Sequence, residues 1–128
     1  LFGGLSDRFG RRASIAASLS FQAAAYALIA FGNGDWSVYL SVILFGLSAF
    51  GLPLIMGATV ADYASPEKSA SILGALTAVF GTGQIIGPIL AGIMADYSGE
   101  FTAAYLAAGS LATLAIALTM TLPDPPRM

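Results

Sequence analysis

Long apolar blocks separated by short polar segments are the main pattern of the sequence. The blocks cover residues 13–31, 38–61, 69–95 and 102–122. At a rise of about 1.5 Å per residue, about 20 helical residues cross the ~30 Å hydrocarbon core of a bilayer, so each block is long enough to span it. The blocks lack the alternating polarity of barrel strands, and a helix satisfies its own backbone groups in lipid. The pattern predicts an all-α polytopic membrane protein with four transmembrane helices.

The connecting segments carry residues that end and begin helices. Residues 32–35, Gly-Asn-Gly-Asp, end the first block, and residues 98–99, Ser-Gly, follow the third. Residues 65–67, Ser-Pro-Glu, predict an N-cap, a proline at the first helical position and an acid in the first turn. A proline-rich tail begins at residue 123, beyond the fourth block.

Composition supports a membrane protein and argues against other classes. Hydrophobic residues make up 57% of the chain and charged residues 9%, whereas soluble domains carry about 25% charged residues. The chain has no His and no Cys, and all its charged residues lie outside the four blocks. The carboxylates of Asp62, Glu67, Asp96, Glu100 and Asp124 fall in predicted connectors, as solvated carboxylates do. The sequence therefore predicts no enzyme, no metal or cofactor site and no nucleic-acid partner.

The distribution of basic residues predicts the orientation in the membrane, because positively charged short loops stay in the cytoplasm. Basic residues occur only before the first block, between the second and third blocks, and in the tail: Arg8, Arg11, Arg12, Lys68 and Arg127. Segments 32–37 and 96–101 have none. Aromatic residues near those two segments are placed like an interfacial belt: Trp36, Tyr39, Tyr97, Phe101 and Tyr105. We expect a multi-pass protein of the inner or plasma membrane with both chain ends in the cytoplasm.

A glycine- and arginine-rich segment, residues 1–12, precedes the first block. Its pattern is G-x-L-x-D-R-x-G-R-R, and its key positions are Gly3, Asp7, Arg8, Gly10, Arg11 and Arg12. The glycines permit a sharp turn. Asp7 is placed to accept hydrogen bonds from a helix N-terminus or an arginine, and the arginines can anchor to anionic lipid. A simple basic turn beside the membrane would explain the charges but would not require this spacing.

The spacing of this segment resembles the signature loop of the major facilitator superfamily, with every key position matched. In the third block, residues 83–88, Gly-Gln-Ile-Ile-Gly-Pro, are followed by Gly92 and Asp96, which is similar to the glycine-proline helix of the same family. The resemblance implies a twelve-helix secondary transporter, most like bacterial drug or metabolite efflux permeases. The loop occurs twice in that family. The proline-rich tail favours the second copy, so the blocks are expected to be helices nine to twelve.

The resemblance also implies roles and partners. The six key residues of the loop would act in a cytoplasmic gate, and alternating access would move a small-molecule substrate through a site near the bilayer midplane. The lipid bilayer and the missing N-terminal helices of the same transporter would be its partners. A different interpretation remains open, in which the chain is a small four-helix membrane scaffold or partner subunit without transport activity.

The third block contains the candidate hinge and packing residues. Gly83, Gly87, Ala91 and Ala95 recur every four residues, and such a stripe of small residues lets another helix pack closely. Pro88 removes a backbone donor beside Gly87 and permits a kink. The predicted hinge and packing set is Gly83, Gly87, Pro88 and Gly92.

A neighbouring face of the third block carries the candidate substrate contacts Thr77, Phe80 and Gln84. Gln84 lies near midspan, where a polar side chain is costly unless it is paired or faces a wet cavity. Contact with substrate and an interhelical hydrogen bond are both open for Gln84. No ionisable residue lies within a predicted span, so the coupling ion is also open.

Two opposite faces of the second block are candidates for a cavity wall. Ser41, Ser48 and Thr59 mark one face. The other face is marked by Gly46, Phe50, Pro53 and Gly57. The family resemblance implies that one of them lines the cavity, and the sequence does not say which.

The spacing of glycine and aspartate in the first segment, G-x-x-x-D-x-x-G over residues 3–10, recurs once in the chain, and each copy is called a frame below. Residues 92–99 repeat the spacing G-x-x-x-D-x-x-G that begins at Gly3, but without the arginines. The positive-inside rule explains the missing arginines, because this copy is expected to face outward. Coincidence in a glycine-rich sequence is the alternative.

Overall fold

The computed structural model describes residues 10–123, and within that range the chain forms four α-helices joined by short turns. They are α1 (Arg11–Phe31), α2 (Asp35–Tyr63), α3 (Pro66–Ser98) and α4 (Thr102–Met120). Each helix is long and apolar enough to cross a membrane. The predicted all-α membrane fold is therefore confirmed.

The predicted turn residues lie at the helix ends. Gly32 follows α1, and Gly34, with a φ of 92°, precedes α2. A Cβ on Gly32 would lie 2.4 Å from the Cβ of Ser37, so only glycine fits where the chain doubles back. Ser65 precedes α3, which begins at Pro66.

α1, α2 and α3 extend beyond their apolar blocks, which corrects the placement of several charged residues. Asp62 lies in the last turn of α2, Glu67 in the first turn of α3 and Asp96 in its last turn, not in connectors. Arg11 and Arg12 likewise begin α1. The 33 residues of α3 give a length of about 50 Å, more than the ~30 Å hydrocarbon core. Hydrophobicity marks the bilayer core, whereas a helix continues into the interface until a capping residue ends it.

α1 packs against both α2 and α4. Ile15 and Leu19 of α1 form a buried cluster with Ile55 of α2. Ala115 and Ile116 of α4 pack against the same cluster. Three helices therefore share one core, and α1 lies at its centre.

Contacts nearer the other end of α1 show that α1 and α2 are antiparallel. The Ser41 hydroxyl donates to the carbonyl of Ala25 over 2.9 Å. The rings of Tyr26 and Phe45 meet edge to face, with centroids 5.7 Å apart. A Cβ on Gly109 of α4 would lie 3.5 Å from the Cβ of Tyr26, so α4 also follows α1 closely.

Small polar side chains are prominent among the buried positions. The buried polar side chains of the described chain are Ser14, Ser18, Ser37, Ser41, Ser48 and Thr119. All except Ser18 donate to a backbone carbonyl. Small side chains let two helices approach closely, and a hydroxyl bonded to a carbonyl is tolerated in lipid. The three-helix unit is therefore held by close approach as well as by apolar contact.

α3 differs from the other three helices because none of its residues is buried. It packs only lightly against α2 and α4. Apolar side chains such as Val79, Ile85 and Ile89 are more than half exposed. A helix that is apolar on all sides requires lipid or further helices around it.

We predict that Ser41→Leu weakens the α1–α2 interface. The Ser41 side chain is 4% exposed, and a leucine would force the helices apart and delete the bond to Ala25. The free energy of unfolding should fall by about 1–3 kcal/mol, measured in detergent micelles by denaturant titration. Ser110→Leu is the matched control, since Ser110 is exposed and bonds within its own helix. Equal stability of Ser41→Leu and wild type would contradict this packing.

Candidate functional site

An ion pair joins the beginning of α1 to the end of α2. Arg11 Nε donates to Asp62 Oδ2 over 2.5 Å, across 51 positions of sequence. The two side chains are 18% and 37% exposed, so water reaches the pair. A charged hydrogen bond in such a setting contributes about 1 kcal/mol, between the values for exposed and buried pairs. That free energy is small for the fold but large enough to shift a balance between two conformers.

The helix dipoles disfavour both charges of this pair. Arg11 is the first residue of α1, where the dipole favours an acid, and Asp62 is in the last turn of α2, where it favours a base. Antiparallel packing brings the two helix ends together, so each charge meets its partner there. The stability of the individual helices does not explain these residues, whereas contact between the helix ends does.

Tyr63 makes a second connection at the same end of the bundle. Its hydroxyl donates to the carbonyl of Pro123 over 2.5 Å. The adjacent residues Asp62 and Tyr63 therefore hold the beginning of α1 and the segment after α4. This role of the two residues was not predicted from the sequence. The signal available was the pair of polar residues placed just after a long apolar block.

The structure places part of the predicted gate motif. Gly10 precedes α1 with a φ of 86°, a conformation that glycine adopts readily. Arg11 and Arg12 occupy the first turn of α1. Gly3, Asp7 and Arg8 lie outside the described residues.

The structure distinguishes the two faces of α2. Ser41 and Ser48 are buried against the rest of the bundle. Phe50 on the opposite face is 83% exposed, and Pro53 is also exposed. Because the serine face is covered, only the Phe50 face is available to line a cavity or to meet other helices.

An apolar stripe that the sequence analysis did not identify continues this uncovered face. Its members recur at spacings of three or four residues and are 40% or more exposed: Tyr39, Ile43, Leu47, Phe50 and Leu54. The spacing was visible in the sequence. The whole block is apolar, however, so periodicity could not separate a covered face from an open one.

The three candidate substrate contacts are exposed on α3. The Thr77 hydroxyl donates to the carbonyl of Leu73 over 2.8 Å, within its own helix. Phe80 is 54% exposed, and Gln84 is exposed and forms no hydrogen bond with the described residues. Any partner of the Gln84 amide must come from outside residues 10–123.

The predicted hinge and packing positions face open space. A Cβ built on Gly83, Gly87 or Gly92 would have nothing within 4 Å. Pro88 lies inside α3, which is continuous from Pro66 to Ser98. The small-residue stripe therefore has no helix against it in the described part of the chain. That part also contains no group of three His, Cys, Asp or Glu side chains that could hold a metal ion.

Comparison with known proteins gives a family match over the whole chain. The family model described as Major Facilitator Superfamily matches residues 1–128. No solved structure matches the chain.

Several curated relatives are bacterial resistance proteins. The chain is 35% identical over 111 residues to the class C tetracycline resistance protein of Escherichia coli, covering 87% of this chain and 27% of that protein. It is 36% identical over 96 residues to the class B protein of Escherichia coli, covering 75% and 24%. It is 29% identical over 128 residues to the quinolone resistance protein NorA of Staphylococcus aureus, covering 98% and 32%. The chain thus spans about a quarter to a third of the length of these relatives.

We predict that Arg11 and Asp62 are energetically coupled. A double-mutant cycle of Arg11→Gln and Asp62→Asn should give a coupling of about 1 kcal/mol in the free energy of unfolding, since either single change removes the Arg11–Asp62 ion pair. Denaturant titration in micelles measures it. The control cycle replaces Asp62→Asn by Glu67→Gln, because Glu67 is exposed and forms no ion pair with Arg11. Equal coupling in the two cycles would contradict the contact.

Proposed function

This chain belongs to the major facilitator superfamily, and we propose that it supplies helices nine to twelve of a secondary transporter that moves a small solute by alternating access. Members of the family are transporters rather than enzymes, and the chain is a multi-pass membrane protein with four apolar helices. The chain covers only part of its relatives' length. The remaining helices of the transporter are therefore its proposed partners, together with lipid and the solute.

The Arg11–Asp62 ion pair carries the proposal of a gate. It joins Arg11, an arginine of the family's signature motif at the beginning of α1, to Asp62 at the end of α2. The dipoles of the two helices disfavour both charges, so the contact itself explains them. A contact of about 1 kcal/mol shifts the ratio of two conformers about fivefold. In this proposal Asp7 and Arg8 of the same motif complete the gate, with Gly3 and Gly10 permitting its turns.

The uncovered face of α2 and the neighbouring α3 supply the proposed wall of the transport site. Phe50 presents an aromatic ring, and Phe80 presents a second ring on α3, four positions before Gln84. Apolar and aromatic walls with few polar groups suit a planar, largely apolar solute. The resistance proteins related to this chain are named for tetracycline and quinolones, which supports a drug-like solute and export.

α3 has the properties of the element that flexes during transport. It is lightly packed, and Pro88 removes a backbone hydrogen bond beside Gly87. The other three helices share a buried core. In the proposal the three-helix unit moves as one body, while α3 bends and its stripe of small residues packs on the missing helices.

We predict that residues 32–37 and 96–101 face outward. In the cysteine-free background, Asn33→Cys and Ser98→Cys should react with a membrane-impermeant maleimide on intact cells. Ser65→Cys should react only after the cells are opened, because the basic residues lie on its side. Labelling of Ser65→Cys on intact cells would contradict this orientation.

We predict that Asp62→Asn reduces transport by the complete natural protein about threefold to tenfold, the factor expected for losing about 1 kcal/mol from one conformer. The measurement is tetracycline accumulation in cells that express the wild type or a variant, with a quinolone as the second solute. Cells expressing the wild type should accumulate less than cells without it. Glu67→Gln, at the same end of the bundle but outside the ion pair, is the control and should behave as wild type.

Two outcomes would contradict parts of this proposal. Equal accumulation of both solutes with and without the protein would argue against drug export and favour a scaffold or partner subunit. If Asp62→Asn transports as fast as the wild type, at equal amounts of protein in the membrane, that result would argue against the gate but not against drug export.

A further inference from the structure

The recurrence of the motif frame at residues 92–99 has a structural counterpart. Gly10 ends the first frame with a φ of 86°, and Gly99 ends the second with a φ of 79°. Within residues 10–123 only three glycines have positive φ, so this agreement at two frame ends is informative. Gly10 directly precedes α1, whereas Gly99 directly follows α3 and is separated from α4 by two residues. Their ψ angles of 163° and −1° differ accordingly.

The helices that follow the two frames are packed against each other in opposite directions. α1 follows Gly10, and α4 follows Gly99. Gly109, near the beginning of α4, lies against Tyr26, near the end of α1. Ile116, near the end of α4, packs on the cluster of Ile15 and Leu19 near the beginning of α1. Gly10 and Gly99 therefore lie at opposite ends of one antiparallel helix pair, as do corresponding positions in the repeats of opposite orientation that many transporters contain.

Asp96 stands in the second frame where Asp7 stands in the first, and helix stability does not explain it. The residue lies in the last turn of α3, where the helix dipole disfavours an acid, and no basic residue lies in that turn. Asp62 has the same unfavourable position in α2 but is paired with Arg11. Asp96 is exposed and forms no ion pair or hydrogen bond with the described residues.

We propose that Asp96 is the outer counterpart of Asp7, a gate residue that pairs with a donor on the remaining helices when the outer side of the transporter is closed. Gly92 leaves room for that helix to approach, since a Cβ there would have nothing within 4 Å. Gly99 permits the turn that follows. This inference rests on the proposed function, because an outer gate requires two alternating conformers.

Opposite shifts in the conformer balance test the proposal. Asp96→Asn removes the contact that closes the outer side, so the complete natural protein in nanodiscs should populate the outward-open conformer more. In hydrogen–deuterium exchange, residues 96–105 should exchange about threefold faster and residues 62–69 about threefold slower. Asp7→Asn, which weakens the inner gate, should change both segments in the reverse sense.

The change in exchange at residues 62–69, far from Asp96, distinguishes a gate residue from a residue that only caps its own helix. Loss of a capping contact would speed exchange only near residue 96, with no effect at residues 62–69. Glu100→Gln is the matched control, an acid in the same turn but outside the frame, and should leave both segments unchanged. Asp96→Glu retains the charge and should restore the wild-type pattern.

Each outcome decides a different question. A purely local effect of Asp96→Asn, or a shift in the same sense as Asp7→Asn, would overturn the outer gate. If Asp7→Asn in the same experiment still slows exchange at residues 96–105 and speeds it at residues 62–69, the proposed transporter function would stand without the outer gate. If Asp96→Asn does not insert, the same comparison with Asp96→Ser, judged against Glu100→Ser, decides the question.

Discussion

Antiparallel packing of α1 against α2 is the contact on which the described structure depends. Lipid provides no hydrophobic force between helices, so close approach and bonded hydroxyls must hold them together. The small buried serines permit the close approach, and the Ser41 hydroxyl donates across the interface. The same packing brings the basic beginning of α1 to the acidic end of α2. The fold and the candidate gate therefore arise from one interface, and a change in it alters both.

The four helices differ in how firmly they are packed. α1, α2 and α4 share the cluster of Ile15, Leu19 and Ile55 and are tied again where Tyr63 bonds to Pro123. α3 has no buried residue and contains a proline and a series of glycines without neighbours. A body with one firmly packed part and one loosely packed helix suits a protein whose two halves move against each other, since motion requires surfaces that are not permanently covered.

Charges at helix ends are the most informative polar feature of the chain. An acid in the last turn of a helix opposes the dipole, and α2 and α3 each have one. In α2 the acid, Asp62, forms an ion pair with Arg11 of the signature motif. In α3 the acid, Asp96, forms no ion pair with a described residue. The contrast between Asp62 and Asp96 connects an observed contact at one end of the bundle with a proposed one at the other.

The sequence alone determined the number and type of helices, because each apolar block must bury its backbone groups in a helix once it lies in lipid. It also determined the turns, since the glycines at 32, 34 and 99 and the proline at 66 permit few alternatives. The family followed from the spacing of the motif. Only the tertiary structure decided which face of α2 is covered, because a block that is apolar all round gives no periodic signal. Only the tertiary structure paired Arg11 with Asp62, since helix ends 51 residues apart meet through packing and not through any local pattern.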